Sequence, residues 1–139
     1  MKSTTVGKIN KSDGTTDDTA VISTATGYTE SVKIGKSDTL NVSLLAKSPT
    51  GTPDIDVWIE QTHIDPKSIS SEGDAPSIAN GWAVPEGASK LLDITDKTAW
   101  HHLAISALSL PWVRLKLIGA GANPADCTVE PHMTRGAQD

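Results

Sequence analysis

Four histidines, His63, His101, His102 and His132, are the side chains best suited to acid–base or metal chemistry near neutral pH. Their spacing serves neither. Only His101 and His102 are adjacent, and neighbours on a strand point to opposite faces, whereas two ligands of one metal are expected at i and i+2. The sequence holds no His-x-His and no second cysteine beside Cys127, so no zinc centre is expected and the histidines read as structural or solvated. Nucleophilic catalysis lacks its elbow too, since no serine stands in a Gly-x-Ser-x-Gly segment. Asp17-Asp18 and the Asp54/Asp56 pair lack the Asp-x-Asp-x-Asp-Gly spacing that converges oxygens on calcium, and read as solvated acids. Gly119-Ala120-Gly121-Ala122 runs into Asn123-Pro124 rather than a helix, so it is no phosphate cradle. The chain is expected to be non-enzymatic, without metal or cofactor.

Tryptophan carries more information. Trp58, Trp100 and Trp112 each stand on a row opposite an aliphatic row, among charged or polar neighbours; Trp82 lies in a Pro- and Gly-rich connection. Trp at such positions suits an interface anchor or a sugar-stacking platform, the alternative being simple packing under a covered face. Trp58, Trp82, Trp100, Trp112, Arg114 and Lys116 are therefore the candidate partner or sugar contacts.

The elements that must position them are strands. In the stretch from Trp112 to Gly119, a period of two sends Val113, Leu115 and Leu117 to one face and Trp112, Arg114 and Lys116 to the other. Ile55, Val57 and Ile59 likewise oppose Asp54, Asp56, Trp58 and Glu60, an acidic row that offers Arg114 and Lys116 a cross-strand match if the two strands are neighbours. Ser31 to Ile34 and Leu40, Val42 and Leu44 alternate around a Gly35 to Asp38 turn and predict a hairpin. Leu91 to Ile94 and Thr98 to Ser106 add strands, the latter with Leu103 and Ile105 opposite Trp100 and His102. Cys127 to Thr134 closes the set, and Pro131 predicts an edge position for that strand. Residues 65–90 form a long connection with a short strand around Trp82-Ala83-Val84. The sum is about seven to nine short strands without a helical segment, an all-β antiparallel sandwich or jelly roll.

Residues 1–28, polar and rich in Thr, Ser, Asp and Gly, read as an arm or as two short edge strands around Asp13-Gly14; residues 29–134 form the sandwich and 135–139 a frayed tail. At 139 residues the chain can bury about 68% of its unfolded surface without a disulfide. The core must be aliphatic, because there is no Phe and a single Tyr, and Cys127 is expected to be a small buried hydrophobe. A net charge of -5 with scattered basic residues argues against direct nucleic-acid binding. No apolar run approaches the roughly 18 residues of a membrane span, and Met1 to Thr5 lacks the apolar core of a signal peptide, so a chain made in a cytoplasm is expected.

The segments Asp-Ile-Asp-Val-Trp-Ile-Glu, Leu-Leu-Asp-Ile-Thr-Asp, Leu-Ser-Leu-Pro-Trp-Val-Arg-Leu-Lys-Leu-Ile-Gly and Cys-Thr-Val-Glu-Pro together resemble small β-sandwich structural proteins of tailed bacteriophage virions, over residues 54–134. The resemblance implies a capsid decoration (cement) protein: a homo-oligomer on the capsid exterior, assembled in the host cytoplasm, with the major capsid protein as partner through its edges, N-terminal segment and 65–90 connection. An aromatic-Ile-Arg strand also occurs in discoidin-like carbohydrate-binding sandwiches. The second expectation is accordingly a sugar-binding module using exposed tryptophans.

Overall fold

Alternation of apolar and polar residues builds nearly every element of this chain. The computed structural model describes residues 2–6, 9–10, 16–17, 20–21, 26–34, 39–47, 54–71, 73–95, 98–106, 110–119 and 128–136, with backbone alone for 2–21, 128, 135 and 136. Twelve strands are described: β1 (Lys2–Val6), β2 (Ile9–Asn10), β3 (Thr16–Asp17), β4 (Ala20–Val21), β5 (Thr26–Thr29), β6 (Val32–Lys33), β7 (Thr39–Lys47), β8 (Ile55–Thr62), β9 (Leu92–Ile94), β10 (Thr98–Ile105), β11 (Trp112–Gly119) and β12 (Thr128–Gly136). Four of them, β2, β3, β4 and β6, are only two residues long, and no helix occurs among the described residues.

The strands form two antiparallel sheets. One runs β1-β12-β7-β10, with β4 also on β12; the other runs β3-β2-β5-β11-β8-β9, with β6 also on β11. Their inner faces meet in one aliphatic core. Leu40, Val42, Leu44 and Ala46 of β7, with Val129 and Met133 of β12, face Ile55, Val57 and Ile59 of β8 and Val113, Leu115 and Leu117 of β11. Each of these residues is exposed by 4% or less. Each fully buried Val, Leu or Ile contributes roughly 1.5–3 kcal/mol, and the regular alternation along β7 shows how directly the sequence pattern selects the face.

Three expectations meet the structure differently. Val32 to Ile34 and Leu40 to Leu44 do not form a hairpin. β6 pairs with β11 in one sheet while β7 lies between β12 and β10 in the other, so the chain crosses the sandwich between them. Both strands bury their apolar row in the shared core either way, which is why alternation does not distinguish the two routes. β12 is no edge, for it pairs with β7 along its whole length and with β1 and β4 on its other side. Pro131 stands opposite Leu44 of β7, but on its other side β1 pairing ends at His132 and β4 pairing at Val129, so on that side it falls in a gap where no described ladder partner needs an N–H. β12 also continues to Gly136, past the expected boundary at 134.

In the N-terminal segment, β2 pairs with β3 (Ile9↔Asp17, Asn10↔Thr16) and with β5, and β1 lies on β12. Asp13-Gly14, the Gly35 to Asp38 turn, Cys127 and the 137–139 tail lie outside the described residues.

Candidate functional site

The two outer faces of the sandwich carry the candidate residues, and they divide unequally. On the seven-stranded sheet, β11 and β8 are neighbours, and their register sets Arg114 directly opposite Glu60. Arg114 Nη2 lies 2.7 Å from Glu60 Oε1, and Nε donates to the same oxygen at 2.8 Å. Arg114 Nη2 also donates to the backbone carbonyl of Asp74 at 2.8 Å. The guanidinium carbon sits 3.8 Å from the centroid of the Tyr28 ring and 4.3 Å from that of Trp82. Both ionised side chains are out of water, at 0% and 1% exposure. Burial lowers the Arg114 pKa from its ordinary value, while the Glu60 carboxylate works against that shift.

This arrangement is a seal. The cover is the 63–91 connection, and Asn80 shapes it. Asn80 Oδ1 accepts from the backbone N–H groups of Ser77 (2.9 Å) and Trp82 (3.1 Å), its Nδ2 donates to Ala75 O (3.0 Å), and Thr62 Oγ1 donates to Asn80 O (2.7 Å). Trp82 Nε1 donates to Ser71 O at 3.3 Å, and Ala83 bridges back to Gln61 of β8. Trp82 is thus buried at 2% exposure and Arg114 at 0%. Neither faces a partner, because each closes on its own chain. Trp58 and Lys116 lie opposite each other and half-buried, and Trp112 is half-buried with Lys33 Nζ 5.8 Å from its ring centroid. The expected cross-strand charge match therefore holds for Arg114 and Glu60. Asp56 instead receives Lys90 at 3.1 Å, with Asp93 3.7 Å from the same amine. Carboxylate oxygens of Asp54, Asp56 and Asp93 lie within 4.8 Å of one another beside that ammonium, so a resident cation of the chain's own already stands among them.

The outer face of the five-stranded sheet is different. Trp100, with His102 on the same face of β10, is 51% exposed. The two rings stack, centroids 5.8 Å apart and planes 9° from parallel. Register brings His102, Ser43 and His132 into one row across β10, β7 and β12, and Trp100, Leu45 and Glu130 into the next. Trp100 reaches across β7 to within 5.8 Å of the His132 ring, tilted at 46°. Together Ser43, Trp100, His102 and His132 line an open depression of about 330 Å³.

Hydrogen-bonding groups surround the ring surface. Ser43 Oγ and His102 Nδ1 share a hydrogen at 2.7 Å, and His132 Nε2 lies 3.0 Å from Glu130 Oε1. Each imidazole keeps its second nitrogen as a further donor or acceptor. A serine within reach of an imidazole is the start of a nucleophilic relay, but Glu130 is engaged by His132 rather than by His102, so these four do not line up as Ser–His–acid. A flat aromatic surface ringed by hydroxyl, imidazole and carboxylate is chemistry for holding a ligand.

Of the six residues singled out in sequence, only Trp100 stands in this open face. Ser43, His102, Glu130 and His132 were not among them. The i, i+2 pairing of Trp100 with His102 was visible in the sequence; the row through Ser43 to His132 depends on strand order, which was not.

No protein-family model matches this chain. No curated protein matches it either. Among solved structures it is similar to CBM35 from Paenibacillus barcinonensis, at 11% identity and a TM-score of 0.44, over 98% of this chain and 99% of that one.

Proposed function

We propose that this chain is a non-enzymatic binding protein whose recognition surface is the outer face of the five-stranded sheet, and that the ligand class suited to it is a saccharide. One observation carries the reading: the Trp100 ring is half exposed, and His102 stacks against it and holds it in place on a strand. A pyranose presents an apolar face of C–H groups to such a ring while its hydroxyls point outward, where Ser43, His102, His132 and Glu130 supply donors and acceptors. Strand-borne groups need little ordering on binding, which limits the entropy cost. The test is calorimetric titration with a panel of neutral and acidic oligosaccharides, beside the Trp100→Ala chain. Binding that Trp100→Ala weakens by at least tenfold supports the reading; binding indifferent to Trp100, or none across the panel, sinks it.

A second reading is a virion decoration protein docked on a capsid lattice. The resemblance of residues 54–134 to bacteriophage β-sandwich proteins supports it. The 65–90 connection, expected to reach the capsid, turns its Trp82 onto Arg114 instead, which shifts the surface available to a lattice toward the same Trp100 face. The two readings thus share a surface and differ in its occupant. Co-sedimentation with empty capsids in the presence and absence of oligosaccharide separates them.

A further inference from the structure

β10 ends the five-stranded sheet, hydrogen-bonded to β7 on one side and to no described strand on the other. The remaining terminal strands are shorter: β1 has five residues, β9 three and β3 two, and β9 carries Asp93 beside Lys90. Natural sheets blunt a long edge with Lys, Pro, a bulge or an inward charge, because unpaired N–H and C=O groups invite another strand. The eight residues from Thr98 to Ile105 contain none of Lys, Arg, Asp, Glu, Pro or Gly. On its inner side Leu103 and Ile105 are only partly buried against the core.

We propose that this edge is completed by a second copy of the chain, β10 against β10 in antiparallel pairing about a two-fold axis through His101. Directly opposed residues in antiparallel strands share a face, so a two-fold axis perpendicular to the sheet must pass through a residue and not between two. His101 sits at the middle of the strand, so an axis there keeps nearly all of β10 paired. That axis sets His101 beside the second copy's His101 on the inner side of the joined sheet. It also sets Trp100 against the second copy's His102, repeating across the strands the ring pair already formed within one. Ala99 then meets the second copy's Leu103, which gives Leu103 a neighbour on the inner side.

The proposal is independent of the saccharide reading. It makes the two Trp100 platforms neighbours on one continuous outer face, so a multivalent ligand would gain from avidity. An interface built on one strand pair falls at the small end for specific contacts, so a weak, concentration-dependent dimer is expected.

Sedimentation equilibrium over a concentration series tests it, with mass expected to rise from 14.6 kDa toward twice that value. In a Cys127→Ser background, His101→Cys is expected to form a covalent dimer on oxidation at least tenfold faster than Ala104→Cys, which the axis places opposite Thr98 instead of its own copy. His101→Lys, an inward charge, should abolish the dimer while the β-sheet circular dichroism remains. A monomer up to hundreds of micromolar overturns the proposal, as does a dimer in which Ala104→Cys crosslinks as readily as His101→Cys. Should His101→Lys fail to fold, the crosslinking comparison still decides. A monomer would leave the saccharide reading standing.

Discussion

Arg114 and Glu60 face each other across β11 and β8 with 2.7 Å between nitrogen and oxygen and almost no water on either. Desolvating two charges costs several kcal/mol each, and the mutual attraction with the Asp74 carbonyl and the flanking rings offsets it. Removing one partner strands the other. Glu60→Leu or Arg114→Met alone should destabilise by about 3–5 kcal/mol, and the two together by clearly less than the sum of the singles. Urea denaturation of the four chains measures the coupling; additive losses would mean that the pair does not act as a unit.

Trp82 holds the cover over that pair, and its replacement tests whether the cover is part of the folded unit. Trp82→Ala removes a fully buried indole and should cost about 3–5 kcal/mol. Trp100→Ala, on the open face, should change stability by less than about 1 kcal/mol. Thermal melts of the two variants compare them directly, and limited proteolysis should cut Trp82→Ala first within residues 63–91.

Two glycines of the same connection separate backbone strain from crowding. Gly81 and Gly87 both adopt positive φ, 70° and 77°. A Cβ on Gly81 would stand 2.8 Å from Thr62 Oγ1, the hydroxyl that donates to Asn80 O, whereas one on Gly87 would meet nothing within 4 Å. Gly87→Ala should cost about 1 kcal/mol, the ordinary left-handed penalty. Gly81→Ala should cost that amount and about 1–3 kcal/mol more. Equal shifts in melting temperature would contradict the crowding argument.

Tyr28 reports on the Arg114 cluster through its own proton. Burial, and then the Glu60 carboxylate, raise its pKa above the ordinary 10.0, while Arg114 pulls the other way. The folded chain therefore holds the phenolic proton more tightly than the unfolded one. Stability is complete below the unfolded value near 10 and is lost as pH rises through the folded value. Because Tyr28 is the only tyrosine, phenolate absorbance at 295 nm follows it alone and should show a midpoint above that of the chain in urea. Tyr28→Phe should flatten the alkaline loss of stability.

Much of the fold was legible because burial obeys a period of two. Val113, Leu115 and Leu117, and Leu40, Val42 and Leu44, all reach the core on the face their spacing assigns. The facing acidic and basic rows of β8 and β11 also announced Arg114 and Glu60. Sheet membership was not legible: β6 and β7 alternate as hairpin strands would, yet lie in different sheets, because alternation names a face and not a neighbour. Pro131 misled for a related reason, since a missing N–H matters only on a side that carries a ladder partner, and the pairings of β1 and β4 leave a gap beside it. Trp82 sits in a segment without periodicity, so nothing local foretold that it would roof over Arg114. The Trp100 surface needed strand order before Ser43 and His132, distant in sequence, could be seen to flank one ring.

β12 hydrogen-bonds to β1, β4 and β7, and it is the last of these to be synthesised. Until residues 128–136 have left the ribosome, strands made much earlier wait with unfilled backbone donors and acceptors, and the layer cannot knit one strand at a time. Contacts spanning nearly the whole chain make for slow, late closure. In a producing cell, the vulnerable interval for this protein is the one before β12 emerges, when a chaperone that shields β7 would do most to raise the yield.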